Sequence, residues 1–496
     1  MPDKVIVIGA GIAGLAAARE LNDQGIDVVI LESRDRIGGR IHTVHPLENL
    51  SIDLGAQWIH GIKEKNGNSY NPIMDLVGKY NIEILLTDFN DSNLWKTRIG
   101  SAIYDLMSGE KLTKNELKEI IKLADDFDNK VYEKALKSKG ESNLSIEDIF
   151  ESFCHKKKID KKSITYRRLL QLVLVMYDLE YGLKLDQLSI NAPLPYERSN
   201  IAGKNVIFPD GFAQITDKLS EGLNIYKNQH VVQIDASDIE KITITTENNE
   251  TYVCDYVINT MPIGVLKSGN ISFNPPLSKN KQDAIEKLEM GVFEKTVLIF
   301  DECFWEDDKK SEWLGNVSED TVKNKQTLDI MNLFKYKKVF DKPILIIYSS
   351  SLYAEELNHL AENEKVQLML GELQKMYPDK PILAPTGVIS TNWKNDPYSY
   401  GSFVAIKKGI SPEYLKEIAK PEANNRVFFA GEGGSYKRYA TADGAFKSGK
   451  EQAEAVSKQI KHKNIIKSNQ SIQVPNMFKD QAEKGVVVTA LNSDFH

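Results

Sequence analysis

Four places in this 496-residue sequence combine residue types that could do chemistry. The first is Gly9-Ala10-Gly11-Ile12-Ala13-Gly14, which follows the apolar run Lys4 to Ile8 and precedes Leu15 to Leu21, a stretch of helix-forming composition. Val28 to Leu31 then reads as a second strand and ends on Glu32. Strand, glycine turn, helix and strand in that order form the dinucleotide-binding pattern. Gly9 permits the tight turn, Gly11 lets the backbone approach a pyrophosphate, and Gly14 lets helix and strand pack. A diphosphate then meets the unpaired N–H groups of the helix N-terminus. Glu32 falls where a carboxylate accepts hydrogen bonds from a ribose.

The other three places are single residues, each with a plain alternative. Lys295 opens an otherwise apolar strand pattern. Burying an ammonium is costly unless a partner or a shifted pKa relieves it, so Lys295 is either a working group or a strand-edge charge that blocks unwanted pairing. His60, in Trp58-Ile59-His60-Gly61, is either a substrate contact or an ordinary loop histidine. Glu180 lies near the end of a helical pattern, where a carboxylate either pairs with a substrate cation or faces solvent.

Positioning these groups takes more than one compact domain, and at this length two domains sharing a sizeable core are expected. From about Leu85 the pattern turns helical. Thr113-x-x-Glu116 is a capping box, and Leu117, Ile120, Ile121, Ala124, Phe127 and Val131 recur behind it at helical spacing. Ser145-x-x-Asp148 resembles a second helix start, and Ile164 to Tyr181 reads as a third helix. Strand patterns return from Asn205, at Val231 to Ile234, Ile242 to Thr246 and Tyr256 to Asn259. Ile344 to Ser349 reads as a buried strand, and Glu355 to Leu373 as a helix with polar and apolar faces.

A net charge of −7 offers no basic face for nucleic acid. The five lysines between Lys156 and Lys162 read as a solvated connection. Cys154, Cys254 and Cys303 are widely separated, and neither they nor the eight histidines have metal spacing. Reduced thiols, no metal site and a cytoplasmic protein are the expectation. With a first strand starting at Lys4, no signal peptide is expected. No uninterrupted apolar stretch reaches roughly 18 residues, so no membrane span is expected.

Several longer runs resemble the FAD-dependent amine oxidase family, and together they cover residues 4 to 455. Glu32-Ser33-Arg34-Asp35-Arg36-Ile37-Gly38-Gly39-Arg40, followed by Thr43, resembles its second FAD signature. Ile52 to Gly61 with Asn71-Pro72 resembles the "GAxWIHG…NP" stretch of polyamine oxidases, and Asp178 to Gly182 with Leu188-Ser189 resembles "NLEYA…LSL". Asp255 to Leu266, with Phe273 and Pro275-Pro276-Leu277, is similar to "DxVIxTxPLGVLK…FxPPL". Gly291 to Phe300 with Phe304-Trp305 resembles "GxxxKVxLxFxxxFW", and Trp393 to Phe403 resembles "WxxDPxSxGSY". Arg426 to Glu432, continued by Tyr439 to Gly449, resembles "LFFAGEATSxxYPATVHGAxxSG".

The resemblance implies an α/β fold: an FAD-binding Rossmann-like domain of the glutathione-reductase/amine-oxidase type, interleaved with an α+β substrate-binding domain. The FAD domain would comprise 1–84, 203–275 and 404–460. The substrate domain would have a helical part, 85–202, and a sheet part, 276–403, leaving 461–496 as a surface tail. FAD would be held by Gly9, Gly11, Gly14, Glu32, Arg34 and Arg40, with Gly55, Ala56, Gln57 and Trp58 running beneath the flavin ring. Val231 would meet the adenine through its backbone, and Trp393, Gly431, Glu432, Thr441 and Ala442 would complete the cofactor site.

In the same reading Lys295 contacts flavin N5 through a water and His60 lies near the amine. Glu180, Phe403, Tyr439 and Asp443 would touch substrate, Asp443 by attracting a cation. Ser402 stands where monoamine oxidases carry the cysteine that holds FAD covalently, so non-covalent FAD is expected. Thr441 replaces the second tyrosine of their aromatic cage. The implied reaction is hydride transfer from the α-carbon of a neutral polyamine (spermine, spermidine or an acetylated form) to flavin N5. The iminium is hydrolysed to aldehyde and amine, and oxygen yields hydrogen peroxide.

Partners are thus the amine and oxygen, without nucleic acid or membrane, in a monomer or homodimer. An L-amino-acid or monoamine oxidase of the same fold and a non-catalytic flavoprotein are the alternatives. The amino-acid reading calls for a cation soon after the Gly-Ala turn, where this chain has Gln57 to His60. A lysine demethylase would call for a tower-like insertion that the sequence lacks.

Overall fold

Two sheets, each assembled from strands far apart in sequence, carry the fold. The computed structural model describes residues 3–64, 71–90, 98–197 and 201–471. In the first sheet the strand order is Asn224–Tyr226, Asp27–Leu31, Lys4–Ile8, Tyr256–Asn259 and Val427–Phe429, all parallel. Its central strands are apolar at nearly every position, as a sheet covered on both faces requires. Helix Ile12–Asp23 lies against the last helix, Ala442–Ser471, so closely that a Cβ on Gly449 would come within 2.0 Å of Ala13 O. That last helix runs past the expected boundary at residue 460, so residues 461–471 continue the helix instead of opening a tail. Residues 472–496 of the expected tail lie outside the described residues.

The second sheet has seven strands in the order Gly387–Ser390, Phe293–Ile299, Ile344–Ser350, Asp329–Asn332, Trp313–Val317, Ala102–Asp105 and Glu110–Lys111. Lys295 therefore sits on an inner strand, opposite Tyr348 on one side, while the next residue, Thr296, pairs with Ser390 on the other. A gatekeeper on an open edge is excluded. The stretch read as helical also supplies Ala102–Asp105, which pairs in parallel with Trp313–Val317. Four residues are too few for a periodic strand signal.

Helix Lys114–Ser138 starts from Thr113 and helix Ile146–Lys157 from Ser145, each through a capping box. Phe127 holds them together, with its ring 5.7 Å from those of Phe150, Phe153 and Tyr177. The expected third helix is α-helical only over Ile164–Val173 and widens into a π-helical turn at Leu174–Leu179, a feature that recurs at functional sites. The single helix expected over 355–373 is two, Ser351–Asn358 and Glu362–Met376. Glu364 accepts from the Ala361 N–H at 3.0 Å and so starts the second one. Among the described residues no helix is long and apolar enough to cross a membrane, and no group of three metal-ligating side chains occurs.

Candidate active site

A cavity of about 620 Å³ extends from the glycine turn to helix Lys114–Ser138. At its first end Gly9 adopts φ +99°, and a Cβ on Gly14 would meet Gly9 O at 1.9 Å, so this glycine serves strand–helix packing and does not line the cavity. A Cβ on Gly11 would find nothing nearer than Gly38 O at 4.0 Å, which leaves open space above the helix N-terminus. Glu32 is 5 % exposed. It accepts the Ala10 N–H at 2.6 Å on one oxygen and the Arg34 N–H at 2.8 Å on the other, with lone pairs to spare for a hydroxyl.

Around this cradle Arg34 and Arg40 are structural clamps as well as cavity walls. Arg34 donates to Asp396 Oδ1 at 2.8 Å and lies 5.0 Å over the Tyr398 ring. Arg36 donates to Ile37 O and Gly39 O, and burial lowers its pKa. Arg40 bridges Ser402 O at 2.9 Å and Glu432 Oε1 at 2.8 Å. Glu432 Oε2 also accepts from Val404 N and Ala440 N, so one carboxylate ties the last signature to the second. Thr441 and Ala442 line the cavity where the last helix begins, with Thr441 Oγ1 accepting from Gly444 N at 3.1 Å. Gly431 and Trp393 also line it. The open glycine turn, the hydroxyl-accepting carboxylate and two helix N-termini fit an FAD laid along this wall. Val231 has its side chain buried in the core at the start of strand Val231–Asp235, and its neighbour His230 lines the cavity.

Midway, Gly55, Ala56, Gln57 and Trp58 line the wall. A Cβ on Gly55 would meet Arg40 O at 1.8 Å and Trp393 Cζ2 at 3.4 Å, which presses this backbone flat. Lys295, 2 % exposed, lies behind it and lines the same cavity. Its Nζ donates to Asp53 O, Gly55 O and Gln57 Oε1, each at 2.8 Å. Burial pushes the lysine pKa down and the nearby Asp53 carboxylate pushes it back up, while burial raises that of Asp53. His60 also reaches the cavity. Asn205 Oδ1 accepts from Gly61 N at 2.8 Å, so its Nδ2 faces His60 Nδ1 at 3.1 Å as a donor. His60 Nδ1 is then the acceptor, and Nε2 carries the N–H of the neutral ring.

The far wall holds Glu180, as expected, together with Asp125 and Asp128 from helix Lys114–Ser138. Those two carboxylates escaped sequence reading because they sit beside the apolar stripe of an amphipathic helix, where acidic residues read as solvated. Tyr177 donates to Asp128 and stacks on Tyr181 at 6.3 Å. Phe403 and Phe293 lie across from them, their rings 6.1 Å apart. Ser402 accepts from Phe293 N and donates to Phe293 O, which occupies its hydroxyl in strand registration.

Two expected substrate contacts are corrected. Tyr439 is fully buried in the core and donates to Ala192 O at 2.9 Å. Asp443 accepts two hydrogen bonds from Arg438, at 2.7 and 3.0 Å, and does not line the cavity, whereas Arg438 does. At the second position of its helix Asp443 folds back on the preceding turn, and its charge is neutralised there.

Residues 12–457 match the family described as flavin containing amine oxidoreductase. Polyamine oxidase 4 of Oryza sativa subsp. japonica is 31% identical, over 92% of this chain and 89% of that protein. Polyamine oxidase 2 of Arabidopsis thaliana is 29% identical, over 90% of this chain and 86% of that protein. A solved structure of putrescine oxidase bound to putrescine shares the fold, with a TM-score of 0.68 over 92% of this chain and 99% of that one, at 18% identity. The chain belongs to the flavin-containing amine oxidase family, is an α/β protein of that fold, and uses FAD to oxidise an amine.

Proposed function

We propose that this flavin-dependent amine oxidase acts on polyamines, oxidising a C–N bond of spermine, spermidine or an acetylated form. The observation that carries this reading is the far wall, where Asp125, Asp128 and Glu180 line the same cavity as Lys295 and the glycine turn. A substrate whose reacting nitrogen lies near His60 still carries distant ammonium groups, and carboxylates bind those through charge-assisted hydrogen bonds. Tyr177, Tyr181 and Phe403 supply apolar faces for the methylene chain between charges. The polyamine oxidases among the relatives support the same class.

FAD held by the glycine turn, Glu32, Arg34 and Arg40 would supply the hydride acceptor for the α-carbon of the amine and the route by which electrons reach oxygen to give hydrogen peroxide. The chain's own residues do the rest. Lys295 stands at the flavin locus, and His60 offers a neutral ring to the reacting nitrogen. Only the deprotonated amine has the lone pair the reaction needs, so the rate rises with pH toward the pKa of the bound substrate. Ser402 can form no thioether and FAD is held non-covalently. An amino-acid substrate is disfavoured because Arg438 is already engaged by Asp443.

The reading extends to a cytoplasmic protein, supported by three free cysteines, and to a monomer or homodimer, which sedimentation equilibrium would test. The direct test of substrate class is peroxide production against spermine, spermidine, N-acetylated polyamines, putrescine, an aromatic monoamine and several L-amino acids. Turnover of the polyamines alone supports the proposal, and turnover of amino acids alone overturns it.

A further inference from the structure

Lys295 has three N–H bonds as an ammonium, and the structure provides three acceptors for them. Two are backbone carbonyls and are fixed by the chain path. The third, Gln57 Oε1, is a side-chain atom and is itself held in place. It accepts a second hydrogen bond from Tyr348 OH at 3.2 Å, while Gln57 Nε2 donates to Met331 Sδ at 3.3 Å. Turning the amide over would set an N–H₂ group against the ammonium, so the charge on Lys295 determines the orientation. Gln57 is 5 % exposed and Tyr348 is 1 % exposed, so no bulk water replaces these bonds.

Other charges face this group from the surrounding elements. The Asp53 carboxylate ends strand Leu50–Asp53 and is already bonded to Thr43 Oγ1 and Phe212 N. Behind Tyr348 come the Arg98–Asp329 pair and Glu312, and burial holds Tyr348 as an uncharged phenol. A neutral amine at this position would have two donors for three acceptors, leaving one buried oxygen short of a partner. We propose that Gln57 is a positioning residue that keeps Lys295 an ammonium and fixes its direction within the cavity. The inference rests on the proposed place of Lys295 at the flavin, and it assigns to Gln57 the control of that lysine's charge.

The test uses holoenzyme containing ¹³C-labelled lysine, with the Lys295 ε-carbon resonance assigned by its absence from Lys295→Met. Gln57→Met keeps the length and packing of the side chain but removes the acceptor. It should lower the Lys295 titration midpoint by at least about one pH unit, and Gln57→Glu should raise it by at least about one. Midpoints that stay put in both variants, or move in the same direction, overturn the proposal. Oxygen-dependent recovery of flavin absorbance is measured in parallel. If Lys295→Met leaves that rate unchanged, the flavin-side reading of Lys295 fails while the titration still decides the role of Gln57.

Discussion

Two lysines in this molecule are buried in almost the same way, and only one of them belongs to the site. Lys281 is fully buried, with Nζ donating to Glu417 O, Ile418 O and Lys420 O at 2.6–2.8 Å, and its ammonium lies 4.3 Å over the Phe429 ring. Lys295 also has three oxygen acceptors, and burial lowers the pKa of both. The difference lies in the acceptors and in what lies beyond them. Lys281 satisfies backbone carbonyls at the C-terminal end of helix Tyr414–Ile418, a favourable place for a cation, and does not line the cavity. Lys295 joins a flattened loop and the amide of Gln57, and lines the cavity. A buried lysine with lowered basicity is thus not by itself a functional one. An adjoining cavity and a replaceable side-chain acceptor make the distinction.

Exchanging each lysine for methionine would break this comparison most visibly. Lys295→Met should lower turnover by about a hundredfold or more, the scale of a lost acid–base group, and should also lower the melting temperature, because it leaves Asp53 O, Gly55 O and Gln57 Oε1 short of a donor. Lys281→Met should cost about 3 kcal/mol by leaving buried carbonyls unpaired, while turnover per bound FAD stays unchanged. Steady-state kinetics and thermal melts of the two variants check both halves. If both variants lose activity equally at full FAD occupancy, the two lysines do not differ as described.

On the substrate side, Asp125→Asn, at a half-buried position, should raise KM for spermine about tenfold, equivalent to about 1.4 kcal/mol. A monoamine without a second charge should be little affected. Asp128→Asn and Glu180→Gln, both at exposed positions, should show smaller shifts of about twofold.

The smallest effect is on pH-dependent stability. Burial lowers the Lys281 pKa from the ordinary 10.5 to about 8, so between those values the unfolded chain binds more protons than the folded one. Stability should therefore rise with pH across about 8 to 10.5, and Lys281→Met should flatten that slope in urea titrations. Asp178 acts in the opposite sense. Burial raises its pKa to about 7 against the hydrogen bonds from Ser350 and Ser351, so its contribution falls as pH rises from about 4 to 7.

What could be read from sequence was what is contiguous in sequence. The glycine turn, the run through Arg40, the Gly55 to His60 loop and the strand bearing Lys295 each declare themselves in a few consecutive residues, and all four meet in one cavity. Asp125 and Asp128 did not, because a solvated acidic face and a cavity-facing one have the same helical spacing. The side chains of Tyr439 and Asp443 take their directions from Ala192 and Arg438, and position within a motif carries no record of such partners. The third acceptor of Lys295 was equally hidden. Gln57 stood in the expected cofactor stretch, but its pairing with Lys295 and Tyr348 depends on three segments meeting in space. The π-helical turn at Leu174–Leu179 and the break before Glu362 are likewise tertiary adjustments of sequences with sound helical periodicity.

The most direct measurement is anaerobic mixing of the purified FAD-loaded enzyme with spermine, followed by admission of air. The account predicts loss of the flavin absorbance band without oxygen, then its return in air with formation of hydrogen peroxide. A visibly bound flavin that spermine and the other polyamines leave unbleached, while an L-amino acid or a simple monoamine bleaches it, would contradict the assignment of this cavity to a polycation.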